Sequence, residues 1–363
     1  MKSLYLKALC LTVMLVVVFS LVPIGRTQSG AQDTELSFLV QNHPDGDKTY
    51  ELNVTIPYSL YQYYNQRSHF LFSPQEFPKF ITPYTLKPIA DRLWQIYNNT
   101  EDFTNGVLML VHQINYEVIT PSKYPVETLV DGKGDCDLFV YIAASILEAG
   151  GIPVVLLYYK DKLHMELAVN LGSPPQDARF PVYSVNNSGV SYYIAESTGG
   201  KWRQGWRIGE IPSEYQNATF QLIVPTNMEQ TSIGQVAATL RELDPSTLTL
   251  YVSSPLILQN SELVISGQIL PQAPTENVTL RGRTNSGGWY DIATVETGSD
   301  GSFSYNWLPS QGGFIEVQAS WVGNRQLNGA SSALGNVVLV PFFVVMLVLV
   351  AVLLVVFVSL AVV

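Results

Sequence analysis

From Val337 to Val363 the chain carries no charged residue. This uncharged run constrains the architecture more than any other feature. An α-helix crosses the hydrocarbon core of a bilayer in about 20 residues, and a core helix of that length without a polar face is unusual. The reading is a C-terminal transmembrane helix over 336–363. At the other end, Met1-Lys2-Ser3-Leu4-Tyr5-Leu6-Lys7 leads into apolar residues up to Val22. That pattern reads as a signal peptide or signal anchor over 1–26, and no small-x-small cleavage site decides between the two. Lys2 and Lys7 place the N-terminus inside. The expected location is therefore the cell membrane, single-pass or double-anchored, with the bulk of the chain extracellular.

Composition agrees with that division. Hydrophobic residues make up 47% of the 363 residues and charged residues 14%, with the apolar excess at the two ends. The formal charge of −10 argues against a nucleic-acid partner, which needs clustered Lys and Arg. Sequons at Asn53, Asn98, Asn186, Asn217 and Asn277 are glycan acceptors where the host has the machinery. The cysteines are Cys10, inside the first apolar run, and Cys136. The exported part then holds one thiol and no internal disulfide.

Two textures lie between the apolar ends. Over 33–245, strand-like alternation near Tyr50–Pro57 gives way to helical spacing at Leu86–Tyr97, Thr104–Tyr116 and Leu138–Ala149. Gly150-Gly151 reads as a helix stop. Strands are expected at Ile152–Tyr159, Leu163–Leu171 and Ser191–Ala195, so this part is α+β with an antiparallel sheet. Over 246–335, short strands and Gly/Pro/Ser/Asn turns predict an all-β Ig-like sandwich. Asp300-Gly301-Ser302-Phe303-Ser304-Tyr305, with Ala319-Ser320-Trp321-Val322-Gly323-Asn324 later, resembles Ig-like repeats of microbial surface proteins. The resemblance implies a stalk lifting the main domain off the membrane.

Three stretches carry chemistry: Gly132-Lys133-Gly134-Asp135-Cys136-Asp137, His164-Met165-Glu166, and Tyr192-Tyr193-Ile194-Ala195-Glu196-Ser197-Thr198. Cys136 opens a helix, where unpaired N–H groups and the helix dipole favour a thiolate. Asp135 and Asp137 oppose that charge, and a positive partner is needed. His164 is the one histidine that follows Cys136, and a thiolate–imidazolium pair is the expected activated state. Glu196 is placed to hold the imidazole tautomer. Gly134 is expected to let a substrate backbone approach. A free cysteine also serves as a small buried hydrophobe, a strand histidine as a structural residue, and a lone glutamate as a solvated carboxylate. His-x-x-x-His and Cys-x-x-Cys spacings do not occur, so no metal site is suggested.

Tyr124-Pro125-Val126-Glu127-Thr128-Leu129, then Gly-Asp-Cys-Asp, a helix ending Gly-Gly-Ile-Pro-Val, a strand opening with His164 and a strand ending before Glu196-Ser197-Thr198 resemble the transglutaminase-like superfamily. The similarity runs from about Glu35 to Asn217 and is strongest from Tyr124 to Thr198. It implies a papain/transglutaminase-like core with a Cys–His–Asp/Glu triad: Cys136 as nucleophile, His164 as base and Glu196 as the acid. Glu stands at 196 where the family commonly has Asp, and Met165-Glu166 stand where it often has Ala-Trp. The implied activity is that of a membrane-anchored extracellular amide hydrolase or acyl transferase. It would act on peptide or protein substrates at the cell surface through a thioester, with no cofactor. The alternative is an inert surface protein that keeps the fold for binding.

Overall fold

The structure is a computed structural model that describes residues 32–199, 202–284, 287–309 and 313–361, without the side chains of 348 and 355–361. The expected signal segment, Cys10 included, lies outside these residues. The fold is mixed α+β.

The N-terminal half opens with an antiparallel hairpin, β1 (Thr34–Gln41) and β2 (Thr49–Ile56). A strand from far along the chain, β10 (Ala237–Glu242), completes its sheet against β2. Four helices follow the hairpin: α1 (Tyr58–Asn65), α2 (Pro83–Leu93), α3 (Thr100–Val111) and α4 (Pro125–Asp131). Asn99 caps α3 by accepting from Asp102 N at 2.8 Å. A short parallel pair, β3 (Asn115–Tyr116) and β4 (Lys133–Gly134), leads into α5 (Cys136–Ala149). Gly151 at φ 80° ends α5, and Ile152 N reaches back to Leu147 O at 2.9 Å, as in a Schellman stop.

The second sheet runs β7 (Ser184–Asn187), β8 (Val190–Ala195), β6 (His164–Val169), β5 (Val154–Tyr159), β9 (Gln221–Ile223), all antiparallel. Every residue of β6 is buried, because both faces of the sheet are covered. Leu156, Met165, Leu167 and Val169 belong to the core shared with the helices. Val155, Leu157, Tyr159, Ala168 and Ile194 form a second cluster with Ile211 and Tyr215. Strand alternation therefore sends His164 and Glu166 to the face away from α5.

The C-terminal strands correct one expectation. They curl into a partial, half-barrel sheet instead of a full Ig-like sandwich. The first strands are short, β11 (Thr247–Leu248) and β12 (Tyr251–Val252), both paired with β14 (Leu263–Leu270). The remaining strands are β13 (Leu256–Leu258), β15 (Asn277–Thr284), β16 (Tyr290–Glu296), β17 (Ser302–Trp307), β18 (Gly313–Gly323), β19 (Asn328–Ser331) and β20 (Gly335–Val340). β13 pairs with β20 in parallel, and the β15–β16 register shifts between Leu280 and Arg281. A bulge of that kind increases local twist and bends the sheet. Alternation and turn spacing locate strands and faces, but they do not say whether a sheet closes. The curl is also tied to the first half: Thr49 N donates to Asn328 Oδ1 at 2.8 Å, and Arg241 Nη2 donates to Arg325 O at 2.7 Å.

The membrane expectation is corrected as well. The uncharged run is not one helix. Its first residues form β20, with Val337 and Leu339 buried in the C-terminal core. Pro341 separates them from α6 (Phe342–Ala361), whose described side chains end at Leu354. Among the described residues no helix is long and apolar enough to cross a membrane. The transmembrane helix over 336–363, and the membrane anchoring and stalk role argued from it, are therefore not upheld; the first apolar segment, on which the cell-membrane location also rested, lies outside the described residues.

Candidate functional site

Cys136 is the first residue of α5, His164 the first of β6, and Glu196 directly follows β8. The pairing Leu167↔Ala195 continued one step sets Glu196 opposite Glu166. His164 Nε2 lies 2.9 Å from Glu196 Oε2. Glu196 Oε1 accepts from Thr198 N and Thr198 Oγ1, each at 2.5 Å. Both partners are buried, Glu196 completely. Burial alone raises the Glu196 pKa, but the His164 and Thr198 bonds prevail and hold it below the usual range. Nε2 faces carboxylates and so carries a proton, which leaves Nδ1 as the atom that can accept one. The Tyr215 ring stacks on the imidazole at 4.2 Å and 7°.

Cys136 is half-buried, and its thiol donates to Leu163 O at 3.9 Å. The backbone N–H of Met165 favours the thiolate. The thiol thus meets the backbone at Leu163, directly before His164. Among the described residues no hydrogen bond joins Cys136 to His164. Burial, and then the charge of Asp137, push the thiol up to about 12. The thiolate–imidazolium pair expected from the sequence is therefore not the resting state, and the cluster around His164 is completed by Glu166, not by sulfur. No assembled cysteine triad is therefore evident among the described residues, and the membrane-anchored, cell-surface function expected from the sequence is corrected. Alkylation of Cys136 in the unliganded protein is expected to be slower than that of free cysteine at pH 7 and to rise with pH. Labelling as fast as free cysteine would show a resting thiolate.

Leu163, just before the histidine, is a non-glycine residue at φ 49° and is 83% exposed. Strain of this kind concentrates at functional sites. Gly134 has a packing role instead of the expected substrate-facing one. A Cβ there would lie 2.9 Å from Thr128 Cγ2 and 3.1 Å from Leu138 Cβ. Asp135 is held by Ile119 N at 3.0 Å, and burial first, then Asp137, raise its carboxyl to about 7.

Other polar residues near the site are committed. Gln113 pairs with the Leu39 backbone through Oε1 at 2.9 Å and Nε2 at 2.8 Å. His112 Nε2 is 3.2 Å from the Glu196 carbonyl, and burial lowers its pKa. It steadies the Glu196 main chain as a neutral ring. Asp177, an Asp elsewhere in the chain, bonds His43 at 3.0 Å and takes no part at His164. Two described groups bring histidine and carboxylate atoms within 4.8 Å: His164, Glu166, Glu196 and His43, Asp102, Asp177. In the second, His43 Nδ1 accepts from Asp45 N at 3.1 Å, so Nε2 is the donor. In both groups the histidine nitrogen facing the carboxylates carries a proton that a cation would have to displace.

Sequence reasoning missed Glu166, Tyr159 and Tyr215. Glu166 is two residues from His164 on a strand, and that spacing alone assigns it to the same face. Tyr215 sits in a loop that carries no periodic signal.

No family model matches the chain, and no characterised protein matches it in sequence. Among solved structures, the sporulation control protein Spo0M from Bacillus subtilis is 8% identical with TM-score 0.20, covering 26% of this chain and 49% of that one. A tetra-tandem repeat from the extending region of a large adhesion protein is 15% identical with TM-score 0.23, covering 51% and 42%. The chain thus spans less than half the length of either. The sulfur carrier protein SoxY from Chlorobium limicola f thiosulfatophilum is 9% identical with TM-score 0.17, covering 27% and 84%. Similarities at this level carry no argument about fold or function.

Proposed function

We propose that the chain is an enzyme with a transglutaminase-like core, of the cysteine amidase or transglutaminase-type acyl-transferase class, with Cys136, His164 and Glu196 as its reacting and orienting residues. The observation that carries this reading is the buried His164–Glu196 pair at 2.9 Å, with the Cys136 thiol on the Leu163 carbonyl next to His164. A buried imidazole whose tautomer is fixed by a carboxylate is the arrangement a general base needs. In unliganded sites the nucleophile–base bond is often long and tightens only in the reacting complex. A neutral resting thiol is compatible with that: His164 takes the Cys136 proton as the sulfur attacks, and returns it to the leaving group. Glu196 stabilises the imidazolium so formed. The backbone N–H of Cys136 is the natural first oxyanion donor.

The test is ammonia release from small carboxamides by the full chain, with and without a primary amine. Release in water alone identifies hydrolysis, and amine-dependent release identifies transfer. No release from any carboxamide, with or without amine, counts against the reading.

Tyr215 provides a finer check. Its stacked ring keeps water from one face of the imidazole. Tyr215→Phe should behave like the parent, since the ring remains. Tyr215→Ala should lower kcat by up to about tenfold, the range of one aromatic contact. Steady-state kinetics on the carboxamide substrate would show it; equal kcat for all three proteins would remove Tyr215 from the account.

A further inference from the structure

The site holds a second carboxyl that the chemistry above does not use. Glu166 is completely buried on β6, with Tyr159 from β5, Glu196 after β8 and Tyr215 from the covering loop around it. Its Oε2 accepts from Tyr159 OH at 2.6 Å. Its Oε1 has no hydrogen-bond partner, although it lies 4.0 Å from His164 Nε2. The carboxyl oxygens of Glu166 and Glu196 and the His164 nitrogen are all within 4.8 Å of one another. As a carboxylate, Glu166 would bury one oxygen with no donor beside a second negative charge, which is costly. As a carboxylic acid it supplies the missing donor itself.

We propose that Glu166 is a positioning residue: kept as a neutral carboxylic acid, it donates its O–H toward the Glu196 carboxylate and fixes the oxygen that Glu196 presents to His164. The donor count closes on this arrangement. Glu196 Oε1 takes the two Thr198 bonds, and Oε2 takes His164 Nε2–H and Glu166 O–H. That fills the roughly four acceptor positions of a carboxylate. Burial first, and then the charge of Glu196, raise Glu166 to about 9, in agreement with the geometry. The folded protein therefore holds a proton that the unfolded chain releases above its ordinary 4.5. The Glu166 contribution to stability falls as pH rises from there to about 9 and levels off above it.

The role of Glu166 rests on the proposed function, but its protonation does not, and the test separates the two. Infrared difference spectra of the full-length protein against Glu166→Gln should show a protonated-carboxyl carbonyl band at pH 7 that titrates away near pH 9. No such band at pH 7 overturns the proposal, whether or not the protein turns over substrate. If carboxamide turnover is found, Glu166→Leu should lose about tenfold or more, the effect of removing a hydrogen bond to a charged group. Glu166→Gln, which keeps a donor, should recover most of that loss and move the alkaline limb of the pH–rate profile upward. Equal rates for Glu166→Leu and the parent, or no rescue by Gln, overturn the positioning role.

Discussion

His164→Ala is expected to lower kcat/KM by about 10²- to 10⁴-fold, the usual worth of a positioned general acid–base group. The loss is large because one ring performs two steps: it removes the thiol proton and later returns it. A thiol pushed up to about 12 makes the enzyme more dependent on that base, since almost no thiolate exists without it. Glu196→Gln should be milder, because the acid orients and stabilises the ring without carrying the transferred proton. The double variant should lose far less than the product of the single losses, as the two residues act as a unit. Steady-state kinetics on a common carboxamide checks all three. Additive losses would mean that the 2.9 Å contact has no catalytic meaning. Asp177→Ala should leave turnover unaffected, since Asp177 is engaged with His43.

Phe103→Ala is expected to destabilise the N-terminal half by about 3–5 kcal/mol, the range for truncating a buried aromatic. Phe103 is completely buried and stacks on Trp94 at 4.2 Å. Its ring fills the space over Gly150, where a Cβ would come within 2.7 Å of Phe103 Cζ. The cavity would open between α3 and the C-terminal end of α5, the helix that carries Cys136 at its other end. Urea unfolding should show a lower midpoint at unchanged slope. A shift worth less than about 1 kcal/mol would mean that the surrounding side chains collapse into the space.

Much of the N-terminal half was legible because its elements carry a period. The stripes of α2, α3 and α5 and the apolar strands β5 and β6 fall within a few residues of the sequence reading. α1 was not legible: its Tyr-rich sequence YSLYQYYN buries only Leu60 and Tyr64. β10 was missed because its pairing partner lies far away in sequence, and long-range pairing leaves no local signal. The first residues of the uncharged C-terminal run misled because composition reads hydrophobicity and not its destination. Val337 and Leu339 are apolar because they fill the core of the curled sheet.

At the site, His164 and Glu196 were legible from the strands that carry them, and the structure joins them directly. The resting state of Cys136 was not. A helix N-terminus favours a thiolate by a modest amount, whereas burial beside Asp137 acts the other way and wins. Sequence shows the first influence and not the depth of burial. Glu166 stood two residues from His164 throughout, yet its part emerges only with β8 alongside.

The most direct measurement is ammonia release from a carboxamide by the full chain and by Cys136→Ala, prepared and assayed side by side. The account predicts release by the parent and none above background by Cys136→Ala. Equal release from both proteins would contradict it.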